Sequence, residues 1–559
     1  MKLIRLLLSL IAAVPELLAQ TDHLSAPHIV LPKLEVTAPA LPPDKAHWNY
    51  VNLDGVEVLS STGVGNARSM LKALQEFRHS LKIIYPTALQ RADQRLSLLL
   101  CNAESFSSFL SLDVPETEAG FSRLVHSSER AFIIVDLDAD SRANDLGTFN
   151  SVDPYRQLNG QYLRYLFNTV NARVPLWLEE GLLETVADME FRGSWLNFGK
   201  INTEQNMPGG KQQTIDIPDF LAPNPTLSGL AFNQVFTHHR MMPLEQFFEA
   251  KTADGLNPSS DSAWAKQAYA FVHFCMFGNK LRYRAPLASF VDRLQREPLS
   301  EELFRSCFGV SFKEMQDQLR GYILHTAHSY QRYALKPEQR MPPFTAEFRK
   351  ASTMEIAMIK GEALQVAGRT ELALQTYRSA YGQGLRSPDF LSAYANSLNA
   401  FGDTAPARQL IDLAAKGDPS RPSAYVLQAR LRLAACLTAP SGTNGKLNDS
   451  QLASVLEPLF RARKLQPPIP QTYDLIAEAW SNSDVLPSKE NLLVLDEGIQ
   501  HFPGQSQLLV RSFHLYCAIG EKQKAASIAK LGTRLAGEQS IRAMFEQLLE
   551  SVENIAGHG

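Results

Sequence analysis

The feature that most constrains the fold is a spacing of 34 residues that recurs in the C-terminal part of the chain. Four residue types return in the same order, first as Gly368, Ala373, Ala380 and Pro388 and then as Gly402, Ala407, Ala414 and Pro422. Small residues at fixed intervals indicate where paired helices cross, and proline indicates where a helix begins. The spacing therefore predicts stacked pairs of helices.

This period resembles that of the tetratricopeptide repeat family. The resemblance implies an all-α helical-repeat domain over residues 345–555, whose curved surface binds a peptide or a partner protein. An insertion from Pro440 to Asn448 interrupts the repeat and is expected to form a surface loop. Because stacked repeats bury their apolar faces against their neighbours, we also expect residues 345–555 to fold when expressed alone.

The part of the chain that precedes the repeats has a different sequence pattern. Short apolar runs predict strands at Val56–Leu59, Leu96–Leu100 and Ala131–Val135. Apolar residues at helical spacing predict a helix over Ala67–Ile84, and the region from Asp153 to Tyr330 is predicted to be mostly helical. This pattern indicates an α+β domain, with a small sheet followed by helices.

Two segments of that domain form a predicted helical hairpin. The first helix carries an apolar stripe, which is formed by Tyr155, Leu158, Tyr162, Tyr165 and Leu166. The second segment reads Pro175-Leu176-Trp177-Leu178-Glu179-Glu180-Gly181-Leu182, in which the proline can open a helix. Glu180 then lies in the first turn of the second helix and faces the first helix.

The second segment resembles the peptidase-MA-like gluzincin families, in which one helix carries His-Glu-x-x-His and the next begins Pro-x-Trp-Leu-x-Glu-Gly-Leu. The resemblance covers residues 47–335 and implies a zincin-like domain. In such enzymes the two histidines and the glutamate of the second helix bind zinc, and a water completes the site. Glu180 stands at the position of that glutamate.

The first motif departs from the family. The alignment puts Gly160 and Arg164 at the two histidine positions and Gln161 at the position of the general base. Glycine offers no ligand atom, arginine repels a divalent cation, and an amide cannot take a proton from water at neutral pH. We therefore expect no zinc and no other cofactor. Arg164 either forms an ion pair with Glu180 in place of the metal or points to solvent. We call the position of the former peptidase cleft, with Trp177, Arg164 and Glu180, the old cleft. It is expected to bind an extended peptide without cutting it.

Other chemistries remain as alternatives. An active metallopeptidase would need displaced ligands, for which the candidates are His238, His239 and His273, but adjacent histidines point apart on a regular helix. Glu180 and Glu184 could act as a carboxylate pair one turn apart. No Gly-x-Ser-x-Gly setting indicates a serine nucleophile.

The N-terminus predicts export. Residues 1–19 read as a signal peptide, and residues 20–46 are rich in proline, as in a linker. No later stretch predicts a transmembrane anchor, and no basic run predicts nucleic-acid binding in a chain of net charge -3. The five cysteines are odd in number and far apart, so no disulfide framework is predicted. The expected protein is a periplasmic or secreted bacterial pseudopeptidase that acts in protein or peptide binding or scaffolding.

Overall fold

The structure is a computed structural model. It describes residues 47–84, 94–110, 121–138, 154–168, 174–187, 189–201, 232–249, 263–294, 297, 299–325, 330–439, 442, 445–536 and 539–556. The predicted signal peptide and the predicted linker lie outside the described residues. No described helix has both the length and the apolar character needed to cross a bilayer.

The strands of the described residues form two sheets. They are β1 (Asn49–Leu53), β2 (Val56–Ser60), β3 (Arg95–Cys101), β4 (Ser122–His126), β5 (Arg130–Asp136), β6 (Glu190–Phe191), β7 (Trp195–Phe198), β8 (Gln331–Ala334) and β9 (Arg349–Lys350). The larger sheet has the order β4-β5-β3-β2-β1-β9, in which β2, β3 and β5 are parallel and β4, β1 and β9 pair antiparallel with their neighbours. The smaller sheet has the order β6-β7-β8.

The three predicted strands are confirmed as β2, β3 and β5. Their runs are mostly apolar because both faces of the sheet are buried, with Glu57 on β2 and Ser97 on β3 as the polar exceptions. On β3, Leu98 and Leu100 face one core, whereas Leu99 and Cys101 face another. The small sheet was not predicted, because strands of two and four residues leave too short a pattern.

The helices of the first part pack on one face of the sheet, except α2 (Ala103–Ser107), whose Phe106 lies in the core on the other face. They are α1 (Val64–Ile84), α2 (Ala103–Ser107), α3 (Pro154–Asn168), α4 (Leu176–Ala187), α5 (Phe232–His238), α6 (Leu244–Glu249), α7 (Ala263–Phe277), α8 (Arg284–Leu294), α9 (Glu301–Phe308) and α10 (Phe312–His325). The predicted helix Ala67–Ile84 is confirmed as α1, whose apolar stripe packs in this core. The hairpin of α3 and α4 is confirmed as well.

The C-terminal part is a stack of helix pairs. Its helices are α11 (Thr353–Glu355), which continues through a π-helical turn (Ile356–Lys360) into α12 (Gly361–Val366), then α13 (Thr370–Gly382), α14 (Pro388–Phe401), α15 (Thr404–Ala415), α16 (Pro422–Thr438), α17 (Asp449–Ala462), α18 (Pro470–Ser481), α19 (Lys489–His501), α20 (Ser506–Ala518), α21 (Lys522–Leu535) and α22 (Gln539–Ala556). The repeated glycines follow the first helix of a pair with positive φ, 80° at Gly368 and 103° at Gly402. The predicted paired-helix architecture is confirmed.

The second face of the large sheet packs against the first repeats. Phe132 and Ile134 of β5 share a core with Leu364 and Tyr377 of α12 and α13. Strand β9, which lies within the predicted repeat region, pairs with β1 of the sheet. The predicted division at residues 335–345 stays a prediction, and in this structure the two parts share one core.

Charged side chains also connect the sheet to the repeats at this contact, which we call the junction. Glu129 accepts hydrogen bonds from Nη2 of Arg421 at 2.8 Å and from Oγ of Ser423 at 2.8 Å. Arg421 also pairs with Glu362, which lies 3.6 Å from Nη1 of Arg130. Alternating signs of charge therefore connect the sheet to two successive helix pairs.

Candidate functional site

The two motif segments lie on helices that pack together. Helix α3 contacts β4 and β5, and α4 contacts both α3 and α7. A Cβ built on Gly181 would lie 2.4 Å from Cγ2 of Val272 and 2.6 Å from the carbonyl oxygen of Ala268, both on α7. The glycine of the second motif is thus required for the close packing of α4 on α7.

Arg164 and Glu180 form an ion pair, which is one of the two arrangements expected from the sequence. Nη2 of Arg164 donates to Oε1 of Glu180 at 3.1 Å, and its Nε lies 3.7 Å from Oε1 of Glu179. The side chain of Glu180 is 5% exposed, whereas that of Arg164 is 35% exposed. A guanidinium therefore pairs with the buried carboxylate that the resemblance assigns to a metal.

The other two degenerate positions also have defined surroundings. Gln161 on α3 donates from Nε2 to Oγ of Ser122 on β4 at 3.0 Å. No atom lies within 4 Å of a Cβ built on Gly160. A larger side chain at position 160 thus has room, whereas Gln161 already connects α3 to the edge strand.

Burial dominates the titration of the two glutamates. It raises the pKa of Glu180, and the Arg164 guanidinium opposes that rise. The pKa of Glu179 is raised for the same reason and is again opposed by Arg164. The ion pair therefore compensates only part of the cost of burying Glu180.

Glu184, one turn further along α4, belongs to a second set of charges. Its Oε2 accepts from Nη2 of Arg156 at 2.6 Å and from Nζ of Lys266 at 3.3 Å. The Lys266 side chain is 1% exposed. Glu180 and Glu184 are thus each paired with cations, which does not favour the alternative of a carboxylate pair acting on a sugar.

Trp177 lies inside the aromatic core. Its exposed fraction is 2%, and its ring packs edge-on against Phe248 at 5.2 Å and Phe271 at 5.5 Å between centroids. A ligand at the surface of the hairpin cannot reach this ring without displacing the phenylalanines. The tryptophan of the motif therefore anchors α4, whereas Arg164 and Glu180 are polar groups that pair between the two helices of the hairpin.

Of the alternative histidine ligands, His239 and His273 have described side chains, and these two lie in different surroundings. His273 is buried on α7, where Nδ1 lies 2.7 Å from the hydroxyl of Tyr322 and Nε2 lies 2.7 Å from the carbonyl oxygen of Gly199. His239 is exposed, and the side chain of His238 lies outside the described part. Both ring nitrogens of His273 already have polar partners, so this residue serves the core.

The residues at the motif positions do not fit a zinc ion. Of the three ligand positions, one is a glycine, one is an arginine, and the third is a glutamate paired with that arginine. Within the described ranges, no three His, Cys, Asp or Glu side chains converge as a metal site. All five cysteines are free, and Cys101 and Cys275 are buried.

A second candidate site is a groove between helices α15, α16 and α17. Its volume is about 570 Å³, which is in the range of ligand-binding clefts. It is lined by Arg408, Ile411, Asp412, Ala415, Lys416, Gln428, Leu431, Arg432, Ala435, Cys436, Ser454, Glu457 and Arg461. We call it the α16 groove, because α16 forms its floor and the second helices of two successive pairs form its walls.

Sequence reasoning missed the α16 groove. The clearest signal was the small residues Ala415 and Ala435, which leave space between helices, together with the cations Arg408 and Lys416, about two helical turns apart. Those positions are far apart along the chain, and only the packing of α15 and α17 on α16 brings them together. The insertion before α17, described only in part, was predicted as a surface loop and stays a prediction.

No established protein family and no curated protein matches this chain in sequence. Solved structures similar to it are tetratricopeptide repeat proteins, matched over the C-terminal helices. YrrB, described as having an unusual peptide-binding site, is 12% identical and has a TM-score of 0.27, with 35% of this chain and 92% of YrrB covered. A thermophilic protein of Thermus thermophilus is 16% identical with a TM-score of 0.28, covering 35% of this chain and 99% of that one. The TPR2AB domain of yeast Sti1, in complex with pHSP90, is 15% identical with a TM-score of 0.19, covering 36% and 86%.

Proposed function

We propose that this chain is a non-catalytic binding or scaffold protein. In this proposal, a gluzincin-like domain has exchanged its zinc for an ion pair, and the helical repeats provide the surface that binds a protein or peptide. The observation that carries the proposal is the hydrogen bond from Arg164 to Glu180. Residues 1–19 would export the chain to the periplasm or the medium.

The ion pair supports loss of catalysis for an electrostatic reason. A peptidase of this class needs three ligands that together hold Zn²⁺ and lower the pKa of its water. Here a permanent positive charge lies 3.1 Å from the one remaining carboxylate, and a divalent cation at that point would be repelled. Gln161 cannot replace the general base and already donates to Ser122.

The competing function is an active metallopeptidase with displaced ligands. His273 is one of the three candidate alternative ligands, and its two nitrogens lie against Tyr322 and Gly199. An extended peptide in the old cleft would meet Arg164 on α3 rather than the buried Trp177. We therefore assign any peptide binding at the hairpin to polar contacts with α3.

Zinc content tests the proposal. The purified full-length chain is equilibrated with Zn²⁺, separated from free metal and measured by plasma mass spectrometry, alongside cleavage of casein with and without a chelator. We expect far less than one zinc per chain and no chelator-sensitive cleavage. One zinc per chain, lost together with peptidase activity on chelation, contradicts the proposal.

A restored motif tests the gluzincin-like geometry separately. The triple variant Gly160→His, Gln161→Glu, Arg164→His should bind one zinc per chain, because position 160 has room for a side chain and Glu180 loses its competing cation. Adding Glu180→Ala to the triple variant is the matched control and should abolish the metal. If the triple variant binds no zinc while remaining folded, α3 and α4 do not have the spacing of a zinc peptidase.

A further inference from the structure

The charges of the α16 groove are not balanced. Its two acids, Asp412 and Glu457, face four basic side chains. Glu457 is shared by Arg432 at 3.2 Å and Arg461 at 2.8 Å, and Asp412 accepts from Gln428 at 3.1 Å. The described residues provide no salt-bridge partner for Arg408 or Lys416. Both are exposed on the same wall, so the groove offers cations to a ligand.

The spacing of those two cations defines the ligand. Lys416 directly follows α15, eight residues after Arg408, and its backbone is still helical, so the two residues lie about 12 Å apart along the helix axis. An extended peptide covers that length in roughly four residues. Residues i, i+2 and i+4 of an extended chain lie on one side of it. Carboxylates at positions i and i+4 of a peptide can therefore reach both cations at once.

An acidic residue does not fit between the two carboxylates. Asp412 lies midway between Arg408 and Lys416 on α15, so an acidic residue at i+2 would meet a like charge. The floor beneath is apolar, with Leu431 buried and the small Ala435 beside it. A leucine-sized side chain at i+2 fits between these charges and this floor.

We propose that the α16 groove binds an extended acidic segment of a partner protein, with the pattern acidic, any residue, apolar, any residue, acidic. This proposal rests on the proposed binding function and names the chemistry of its partner. Arg408 and Lys416 bind the two carboxylates, and the apolar residue between them packs toward Leu431. Arg461 on the opposite wall already pairs with Glu457 and, at 3.4 Å, with Asp418, so Arg408 and Lys416 are the cations that attract an acidic ligand.

The test uses the full-length chain and a fluorescein-labelled peptide, Ser-Gly-Glu-Thr-Leu-Thr-Glu-Gly-Ser, followed by fluorescence anisotropy. We expect saturable binding that falls at least tenfold when both glutamates are lysines or when the leucine is aspartate. The variant Arg408→Glu, Lys416→Glu should bind the original peptide at least tenfold more weakly. The matched control Arg430→Glu, Lys464→Glu removes two exposed cations outside the groove and should change affinity less than twofold.

Several results overturn the proposal. They are equal binding of the glutamate and lysine peptides, an equal loss in both double variants, or tighter groove-dependent binding of an oligothymidylate, which would assign the groove to nucleic acid. Circular dichroism of both double variants checks that the fold is retained. A negative result here leaves the zinc measurement untouched, so failure of this inference is distinguishable from failure of the proposed function.

Discussion

The two partners of the Arg164–Glu180 pair are exposed to water to different extents. We therefore expect substitution of Arg164 and substitution of Glu180 to change the free energy of unfolding by different amounts. Arg164→Met leaves a buried carboxylate without its cation and should cost about 2 kcal/mol, less than a fully buried pair would because Arg164 is partly exposed. Glu180→Gln leaves a guanidinium that water and Glu179 can still stabilise and removes a carboxylate whose pKa burial raises, so at pH 7 it should cost nothing or stabilise the chain slightly. Urea unfolding of each variant at pH 7 measures both costs.

The double variant checks that the two side chains interact. Adding Glu180→Gln to Arg164→Met removes the uncompensated charge, so the double variant should be more stable than Arg164→Met alone. Losses that simply add would mean that the pair contributes no coupling energy. The proposed replacement for zinc would then be wrong.

The pH dependence of stability tests the burial of Glu180. Its pKa is raised above 4.5 by burial, so its contribution is fully present below pH 4.5 and is lost as the pH rises through the folded pKa. The wild type should therefore lose stability relative to Glu180→Gln as the pH rises from about 4.5. Thermal unfolding between pH 4 and pH 7 measures this difference.

Glu355 provides a control of opposite sign. A hydrogen bond from Arg349 lowers the pKa of Glu355, so its contribution is present above pH 4.5 and is lost as the pH falls. The wild type should lose stability relative to Glu355→Gln on acidification. Parallel pH profiles for Glu180→Gln and Glu355→Gln would rule out the assigned environments.

At the scale of elements, two helical glycines predict opposite effects of one substitution. Alanine favours a helix over glycine by about 1 kcal/mol, so Gly160→Ala, which meets no atom within 4 Å, should stabilise α3 by up to that amount. Gly181→Ala meets Val272 and the backbone of Ala268, and overpacking costs about 1–3 kcal/mol. The second substitution should therefore destabilise the chain. Chemical denaturation of both variants tests this, and equal shifts would contradict the close packing of α4 on α7.

The elements that could be predicted are those with a local pattern. The buried runs of β3 and β5 can be recognised within a few residues, and so can the apolar stripe of α3. The 34-residue spacing connects equivalent points of successive helix pairs. Strand β9 could not be predicted, since its two residues, Arg349 and Lys350, are exposed and charged. Its position follows from pairing with β1, some 300 residues earlier in the chain.

The features of the candidate sites also fall into those that a local pattern predicts and those that depend on tertiary packing. The contact between Arg164 and Glu180 followed from the motif positions on two consecutive helices. The burial of Trp177 depends on phenylalanines of α6, α7 and α8, which no local pattern connects to it. The α16 groove likewise exists only where α15 and α17 pack on α16. Sequence therefore identified the side chains with local partners, and tertiary packing decided the exposure of the others.

At the scale of the whole molecule, the sheet and the repeats are stabilised by the same core. Leu364 belongs to the core that also contains Phe132 and Ile134, and its helix α12 contacts β4, so an isolated segment 345–555 would expose this side chain to water. The expectation that this segment folds alone stays a prediction. The loss of stability in the fragment depends on the apolar surface that the sheet covers in the whole chain. We expect the fragment to be helical by circular dichroism but to melt at a lower temperature than the repeats within the whole chain.

Glu129 tests whether the junction makes the chain unfold as a unit. This carboxylate is 6% exposed and accepts from Arg421 and from Ser423. Glu129→Ala leaves Arg421 with one carboxylate fewer and removes the acceptor for the Ser423 amide, so we expect a loss on the order of 3 kcal/mol. The exposed pair of Asp317 and Arg320 gives the matched control, since Asp317→Asn should cost less than about 0.5 kcal/mol.

Calorimetry distinguishes a local effect of Glu129→Ala from a global one. If the junction couples the two parts, the wild type should unfold in one transition, and Glu129→Ala should lower its midpoint or divide it into separate transitions for the sheet and the repeats. Two well-separated transitions in the wild type would mean that the shared core does not couple them. The junction would then be a contact between independently folding parts, and a ligand in the α16 groove would stabilise only the repeats. With one transition, the same ligand should raise the melting temperature of the whole chain.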